Sequence, residues 1–164
     1  MIRKQFVTFT AALVSVAILA AGCSGQSQET NHDTDGARKI VSYEQMQEEY
    51  KDSVKNLAWP EGYTPANEVS GENPDASYQE GYGDTRASQA YECAWAKQWL
   101  ATYSSDSSKA KEALEALEKV PEMGYMSSER ADDATRRFFK DYLDRAKLGD
   151  PSGFQEDVQA NCPQ

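Results

Sequence analysis

Beyond Gly22 the chain is short of the aliphatic side chains from which cores are ordinarily built. From Cys23 to Gln164 it holds six Leu, one Ile, five Val and three Phe. About 11 per cent of such residues together with a high net charge is a composition closer to disorder than to a packed domain. Nine Tyr, three Trp and three Met double the large apolar side chains of this part, and 16 Ala can sit where helices approach closely. Such a chain can fold only around a small core in which aromatic rings stand in for Leu and Ile.

The charge narrows the function. The whole chain carries 17 Lys+Arg against 27 Asp+Glu, a formal −10. The segment before Cys23 contains Arg3 and Lys4 and no acid, so without it the balance is −12. That excess repels phosphates and anionic lipid alike, which argues against nucleic acid as a partner and against an electrostatic grip on a membrane.

Arg3 and Lys4 precede a run from Phe6 to Ala21 interrupted only by Thr8, Thr10 and Ser15. The run is short for a permanent span, which needs about 20 apolar residues, and suits the apolar region of a cleaved signal peptide, 1–22. It ends in Leu19-Ala20-Ala21-Gly22-Cys23, which resembles the lipobox of bacterial lipoproteins. Leu is usual at the third place before the Cys, and small residues such as Ala20 are tolerated there. The resemblance covers only the chain up to Cys23. It implies that Cys23 receives a diacylglyceryl group, becomes the new N-terminus and is acylated, with palmitate as the expected chain. It implies a protein held in the cell membrane by lipid, on the extracytoplasmic face, or in the outer membrane if the host has one. At about 0.8 kcal/mol per buried CH₂, two acyl chains hold where one holds only marginally.

The stretch 23–41 reads as the lipidated Cys and a tether, since Ser24 to Lys39 contains no large apolar side chain to offset its ordering entropy. The rest, 42–164, reads as one all-α extracytoplasmic domain of about four helices plus a short C-terminal one. Ser42 with Gln45 forms a capping box for a first helix presenting Tyr43, Met46, Tyr50, Val54 and Leu57 and stopping before Pro60. A long irregular loop follows, from Trp59 to Gly83. Asp84 is the expected cap of a second helix reaching about Tyr103, the most apolar and therefore the central one. Asp106, Ser107 or Ser108 starts a third, ending before Pro121. Ser127 or Ser128 starts a fourth, with a stripe of Ala131, Ala134, Thr135, Phe138, Phe139, Tyr142, Leu143 and Ala146. Acid-before-base pairs four apart, Asp132 with Arg136, Asp133 with Arg137 and Asp141 with Arg145, support its exposed face. Phe154 and Val158 suggest a last turn of helix before Cys162.

With Cys23 lipidated, two thiols remain, and export places them in an oxidising compartment. Cys93 and Cys162 are expected to pair, joining the middle of the second helix to the tail.

Catalytic chemistry is heavily constrained. His32 is the only His and lies in the tether, so neither a Ser-His-Asp or Cys-His site nor a multi-imidazole zinc site can be built on the domain. Asn31-x-Asp33-x-Asp35-Gly36 spaces oxygens like the start of an EF-hand loop, but Ser42 stands where the bidentate Glu belongs, so no metal is expected. Gly81-x-Gly83 has no preceding strand and does not read as a phosphate cradle. Glu61, Glu68, Glu72, Asp75, Glu80 and Asp84 lie in or beside the loop with Trp59, Tyr63, Tyr78 and Tyr82. Those four rings could form a binding surface for an envelope glycan or an exported protein, or they could cover the helices in place of missing aliphatics. The expected role is a non-catalytic envelope binding or interaction module without a cofactor. The alternative is a carboxylate-dependent hydrolase acting on envelope polymers through the loop acids, and a third reading is a small lipoprotein recognising one exported partner by a helix face.

Overall fold

The computed structural model describes residues 39–163. The expected signal peptide 1–22, Cys23, His32 and the Asn31 to Gly36 pattern lie outside the described residues. The domain is all-α apart from one two-residue ladder. In order the elements are β1 (Ile40–Val41), α1 (Tyr43–Asn56), β2 (Tyr78–Gln79), α2 (Tyr82–Thr102), α3 (Ser107–Leu117), two 3₁₀ turns (Val120–Glu122 and Gly124–Met126), α4 (Asp133–Lys147) and α5 (Ser152–Asn161). β1 and β2 are antiparallel, Ile40 opposite Gln79 and Val41 opposite Tyr78. Val41 is buried, so the folded body begins slightly before the expected boundary at residue 42. No helix among the described residues is long and apolar enough to cross a membrane.

α1 starts as its sequence dictates. The Gln45 N–H donates to Ser42 Oγ at 3.3 Å and the Ser42 N–H donates to Gln45 Oε1 at 3.0 Å, satisfying two otherwise orphaned donors. α3 is likewise capped by Asp106, whose carboxylate accepts from the N–H groups of Ser108 and Lys109 at 3.1 Å each.

The start of α2 departs from expectation. Asp84 is not its cap. The cap position falls three residues earlier, at Gly81 with φ +83°, and Asp84 accepts from the Ser53 hydroxyl at 2.8 Å. The capping anion comes from α1. Glu49 accepts from the Gly81 N–H at 2.9 Å and from the Gly83 N–H at 3.2 Å, placing a carboxylate on the positive end of the helix. The two helices touch at Gly83, where a Cβ would overlap the Met46 carbonyl oxygen and stand 2.7 Å from the Tyr50 nitrogen.

α4 also starts elsewhere. Ser127 closes the second 3₁₀ turn, and the cap is Asp132, whose Oδ1 accepts from the Thr135 N–H at 2.7 Å. Because Asp132 is occupied in this way, Arg136 pairs with Asp133, which displaces the expected partners of both acids, whereas Asp141 and Arg145 pair as expected at 2.5 Å. Of the anticipated stripe, Phe139, Leu143 and Ala146 are buried, while Thr135 and Phe138 face outward, Phe138 at 61 % exposure. α5 is a full helix of nearly three turns rather than a single turn, and it inserts Phe154 completely into the core.

α2 is central, packing on α1, α3, α5 and the second 3₁₀ turn. Its rings Tyr91, Trp95 and Trp99 join Leu117, Phe139 and Phe154 in the larger of two apolar clusters. Phe154 meets Trp99 and Phe139 edge-on at 5.7 and 6.0 Å, an arrangement aromatic quadrupoles favour. A smaller cluster of Val41, Met46, Tyr50, Val69, Tyr78 and Ala87 lies at the other end of α2. The segment between α1 and β2 is irregular but anchored, because the buried Gln47 amide holds Val69 from both sides, donating to its carbonyl and accepting from its N–H at 2.8 Å each.

Cys93 and Cys162 form a disulfide with 5.6 Å between their Cα atoms, tying α2 to the end of α5. Closing a loop with a sequence separation of 69 removes unfolded-state entropy equivalent to about 4 kcal/mol. Replacing both cysteines by Ser should therefore lower the unfolding free energy by about that amount, read from urea titration. Gly83→Ala should cost about 2–3 kcal/mol in the same titration, because the added methyl group forces α1 and α2 apart where their backbones meet.

Candidate functional site

The four loop rings divide between the two clusters. Trp59 stacks on Tyr63 with centroids 5.4 Å apart and meets Tyr91 edge-on at 6.0 Å, and its indole N–H donates to the Val54 carbonyl at 3.0 Å. Tyr78 and Tyr82 lie 5.4 Å apart at the other end of α2, with Tyr43 beside Tyr78 at 6.3 Å. Tyr78 is buried, Trp59 and Tyr82 are half-buried, and only Tyr63 is exposed. These rings mainly cover helices, Tyr78 and Tyr82 at the start of α2 and Trp59 with Tyr63 against its middle at Tyr91.

The loop carboxylates are engaged one by one. Glu72 accepts from the Tyr82 hydroxyl at 2.7 Å, Glu61 pairs with Lys109 at 3.5 Å, Glu80 pairs with Lys39 at 3.3 Å, and Asp84 faces Ser53 and Arg130. Glu68 and Asp75 are exposed. The N–H groups of Gly81 and Gly83 are taken by Glu49, so the two glycines of the Gly-x-Gly segment have no donor left for an outside anion.

What does converge is a cluster that the sequence reading did not select. Two clefts of about 480 and 510 Å³ run along one side of α2 and share Gln89, Tyr125 and Thr135 as common wall, forming one groove between α2, the second 3₁₀ turn and α4. In the first cleft lie Glu92 from α2, Tyr125 from the 3₁₀ turn and Asp157 from α5. Glu92 is 9 % exposed and Asp157 6 %. The Tyr125 hydroxyl donates to Glu92 Oε2 in a short hydrogen bond. Asp157 Oδ1 accepts from the Asn161 amide at 2.8 Å, while the shielded Oδ2 accepts from no N–H or hydroxyl of the described residues. Glu92 and Asp157 are neighbours whose carboxyl groups act on one another directly.

The electrostatics follow from burial. Desolvation pushes the Glu92 carboxyl up to about 8, and the adjacent Asp157 charge pushes it the same way, against the opposing hydrogen bond from Tyr125. Tyr125 is driven far above the ordinary phenol range, first by burial and then by the charge of Glu92. At neutral pH the Glu92 carboxyl therefore keeps its proton. The rim of the cleft carries Arg86, exposed and hydrogen-bonded to Gln89 at 3.4 Å, together with Phe138 and Tyr142.

Glu92 was legible in one respect, because it sits on the buried Ser88-Glu92-Trp95-Trp99 line of the most apolar helix, one residue before a disulfide Cys. Asp157 carried a weaker version of the signal, three residues after the core ring Phe154 and five before Cys162.

The raised Glu92 fixes the sign of a pH dependence. The unfolded carboxyl titrates near 4.5 and the folded one near 8, so between these values the folded state binds a proton that the unfolded state lacks. The stabilisation is present in full below about 4.5, is lost progressively as pH rises through that window, and levels off above about 8. Glu92→Gln keeps an acceptor for Tyr125 and a donor for Asp157 without ionising. It should flatten this decline and melt higher than the native chain at about pH 8.5. Thermal melts of both proteins across this window check it, and parallel curves would assign the decline to other groups.

Compared with known proteins, the chain matches no family model, no curated protein and no solved structure.

Proposed function

We propose that this chain is a lipid-anchored bacterial envelope protein, attached through Cys23 on the extracytoplasmic face, whose domain is a binding module using the groove along α2. The anchor rests on the lipobox resemblance, and the Cys93–Cys162 disulfide agrees with an oxidising compartment. The observation that carries the binding role is the Glu92–Asp157 pair in the wall of an open groove. Two acids in contact beneath solvent-accessible space destabilise a domain already lean in aliphatics, and costly polar burial of this kind clusters at functional sites. Partners suited to this reading are an envelope glycan or an exported protein.

A carboxylate-dependent hydrolase acting on envelope polymers is the second reading, favoured by the same pair. Its acids would be Glu92 and Asp157 rather than the loop carboxylates. Glycoside hydrolysis places its two carboxyl groups roughly 5 to 9.5 Å apart across the sugar. A pair in direct hydrogen-bonded contact leaves no room for a ring between them, so the geometry supports binding better.

Cys23→Ser should abolish palmitate labelling in a bacterial host and move the protein from the membrane fraction to the soluble one; unchanged fractionation would remove the anchor. For the groove, a photo-crosslinking side chain at Thr135 should yield adducts with envelope material that Gln89→Trp, which obstructs both clefts, eliminates without lowering the melting temperature. Adducts that persist in Gln89→Trp would place recognition elsewhere.

A further inference from the structure

We propose that the cleft over Glu92 and Asp157 is a site for a primary ammonium group, carried either by a small alkylamine or by a lysine side chain. This rests on the groove reading above and names the chemistry it selects. The first ground is the donor count. Among the described residues the two neighbouring carboxyl groups receive donors from Tyr125 and Asn161, one each. Asp157 is more than nine-tenths buried, lines the cleft and retains an oxygen that accepts from no N–H or hydroxyl of the described residues. An ammonium supplies three N–H donors and the compensating charge at once.

The second ground is the shape and lining. Beyond the carboxyl pair Met126, Phe138, Phe139 and Tyr142 line one part of the cleft and can pack along a methylene stem, while Gln89, Thr135 and Asn161 line the rest with polar groups. Phe138, 61 % exposed, also lines the cleft. At about 480 Å³ the cleft has room for a stem of lysine length. An anion would meet the acids directly. A divalent metal is poorly served, since no group of three His, Cys, Asp or Glu is assembled for one among the described residues. Arg86, the cation on the rim, is exposed and turned to Gln89, so its charge is screened by solvent.

Binding has a protonic signature. With the cleft unliganded the Glu92 carboxyl keeps its proton at neutral pH, and an ammonium held between Glu92 and Asp157 displaces it to solvent. The charged or titratable groups facing the pair are Tyr125 from the 3₁₀ turn, Tyr142 from α4, Glu156 beside Asp157 on α5, and Arg86 on α2. Neither phenol loses its proton in the neutral range, so the released proton belongs to the carboxyl pair.

The test is calorimetric titration of the disulfide-intact domain with n-butylammonium chloride and with N-acetyl-lysine amide, in buffers of different ionisation enthalpy, with n-butanol as the neutral probe. The expected result is binding of both amines, release of close to one proton, and a dissociation constant falling about tenfold per pH unit from about 6 to 7.5. A lysine derivative at least about tenfold tighter than butylammonium at equal pH would identify a protein side chain as the source, and the reverse order a small amine. Glu92→Gln should weaken amine binding at least about tenfold and abolish its pH slope, and Asp157→Asn should abolish binding, each with the melt and the disulfide as fold controls. Equal binding of n-butanol, binding independent of pH, or no binding of either amine would overturn the inference. If the amines fail while Gln89→Trp still eliminates the Thr135 crosslinks, the ligand class is wrong and the groove reading stands.

Discussion

Glu49 reaches from α1 across the helix crossing to hold the first N–H groups of α2, and the bare backbone of Gly83 lets the two helices meet there. The rest of the domain hangs on this contact. It sets the direction in which α2 leaves, and α2 then carries the rings around which α3, α4 and α5 assemble. The same crossing holds the smaller cluster, since Met46 and Tyr50 flank Glu49 on α1 and pack with Val41, Val69 and Tyr78. A helix N-terminus that is normally finished by its own neighbouring residues is here finished by tertiary structure, so the first turn of α2 and the docking of α1 form together.

The economy of the core explains both its strengths and its odd feature. Aromatic rings, Ala contacts and one disulfide replace the missing aliphatics, and Phe154 alone connects α2, α4 and α5. Against that background the Glu92–Tyr125–Asp157 cluster is a sacrifice, because three polar groups occupy space that a simpler core would fill with Leu. The proton that burial keeps on Glu92 limits the cost by removing that charge from beside Asp157. The cluster also joins α2 to α5 within one residue of the disulfide on the α2 side, so a polar link and a covalent one restrain the same pair of helices.

What could be read from the sequence was local or eliminative. The Ser42–Gln45 box and the Asp106 cap depend on residues three apart or fewer, and they formed as written. The Cys93–Cys162 pair followed from the lipobox resemblance, which sets Cys23 aside as lipidated and leaves two thiols. The stops before Pro60 and Pro121 are likewise local. Where the reading failed, a distant residue had taken the local role. Asp84 looked like a cap, but Glu49 occupied the N–H groups. Ser127 and Ser128 looked like the start of α4, but burial of Tyr125 and Met126 drew that segment into 3₁₀ turns and left the cap to Asp132. The aromatic loop was legible as rings without Leu, though its division between two clusters was not. Glu92 and Asp157 were two among 27 acids, far apart in the chain, and no pattern of charge anticipates two of them in contact.

The two-stranded ladder acquires a mechanical meaning if the chain is held by its N-terminus. A pull arriving at Lys39 meets first its own contacts with Glu80, then Ile40 and Val41 against Gln79 and Tyr78, backed by a handful of rings. The segment between Cys93 and Cys162, which contains α3, α4 and α5, is closed on itself by a covalent bond. Load entering from the membrane side would thus be borne by the weakest sheet and the smaller cluster, while the α4 and α5 walls of the groove stay enclosed by the crosslink.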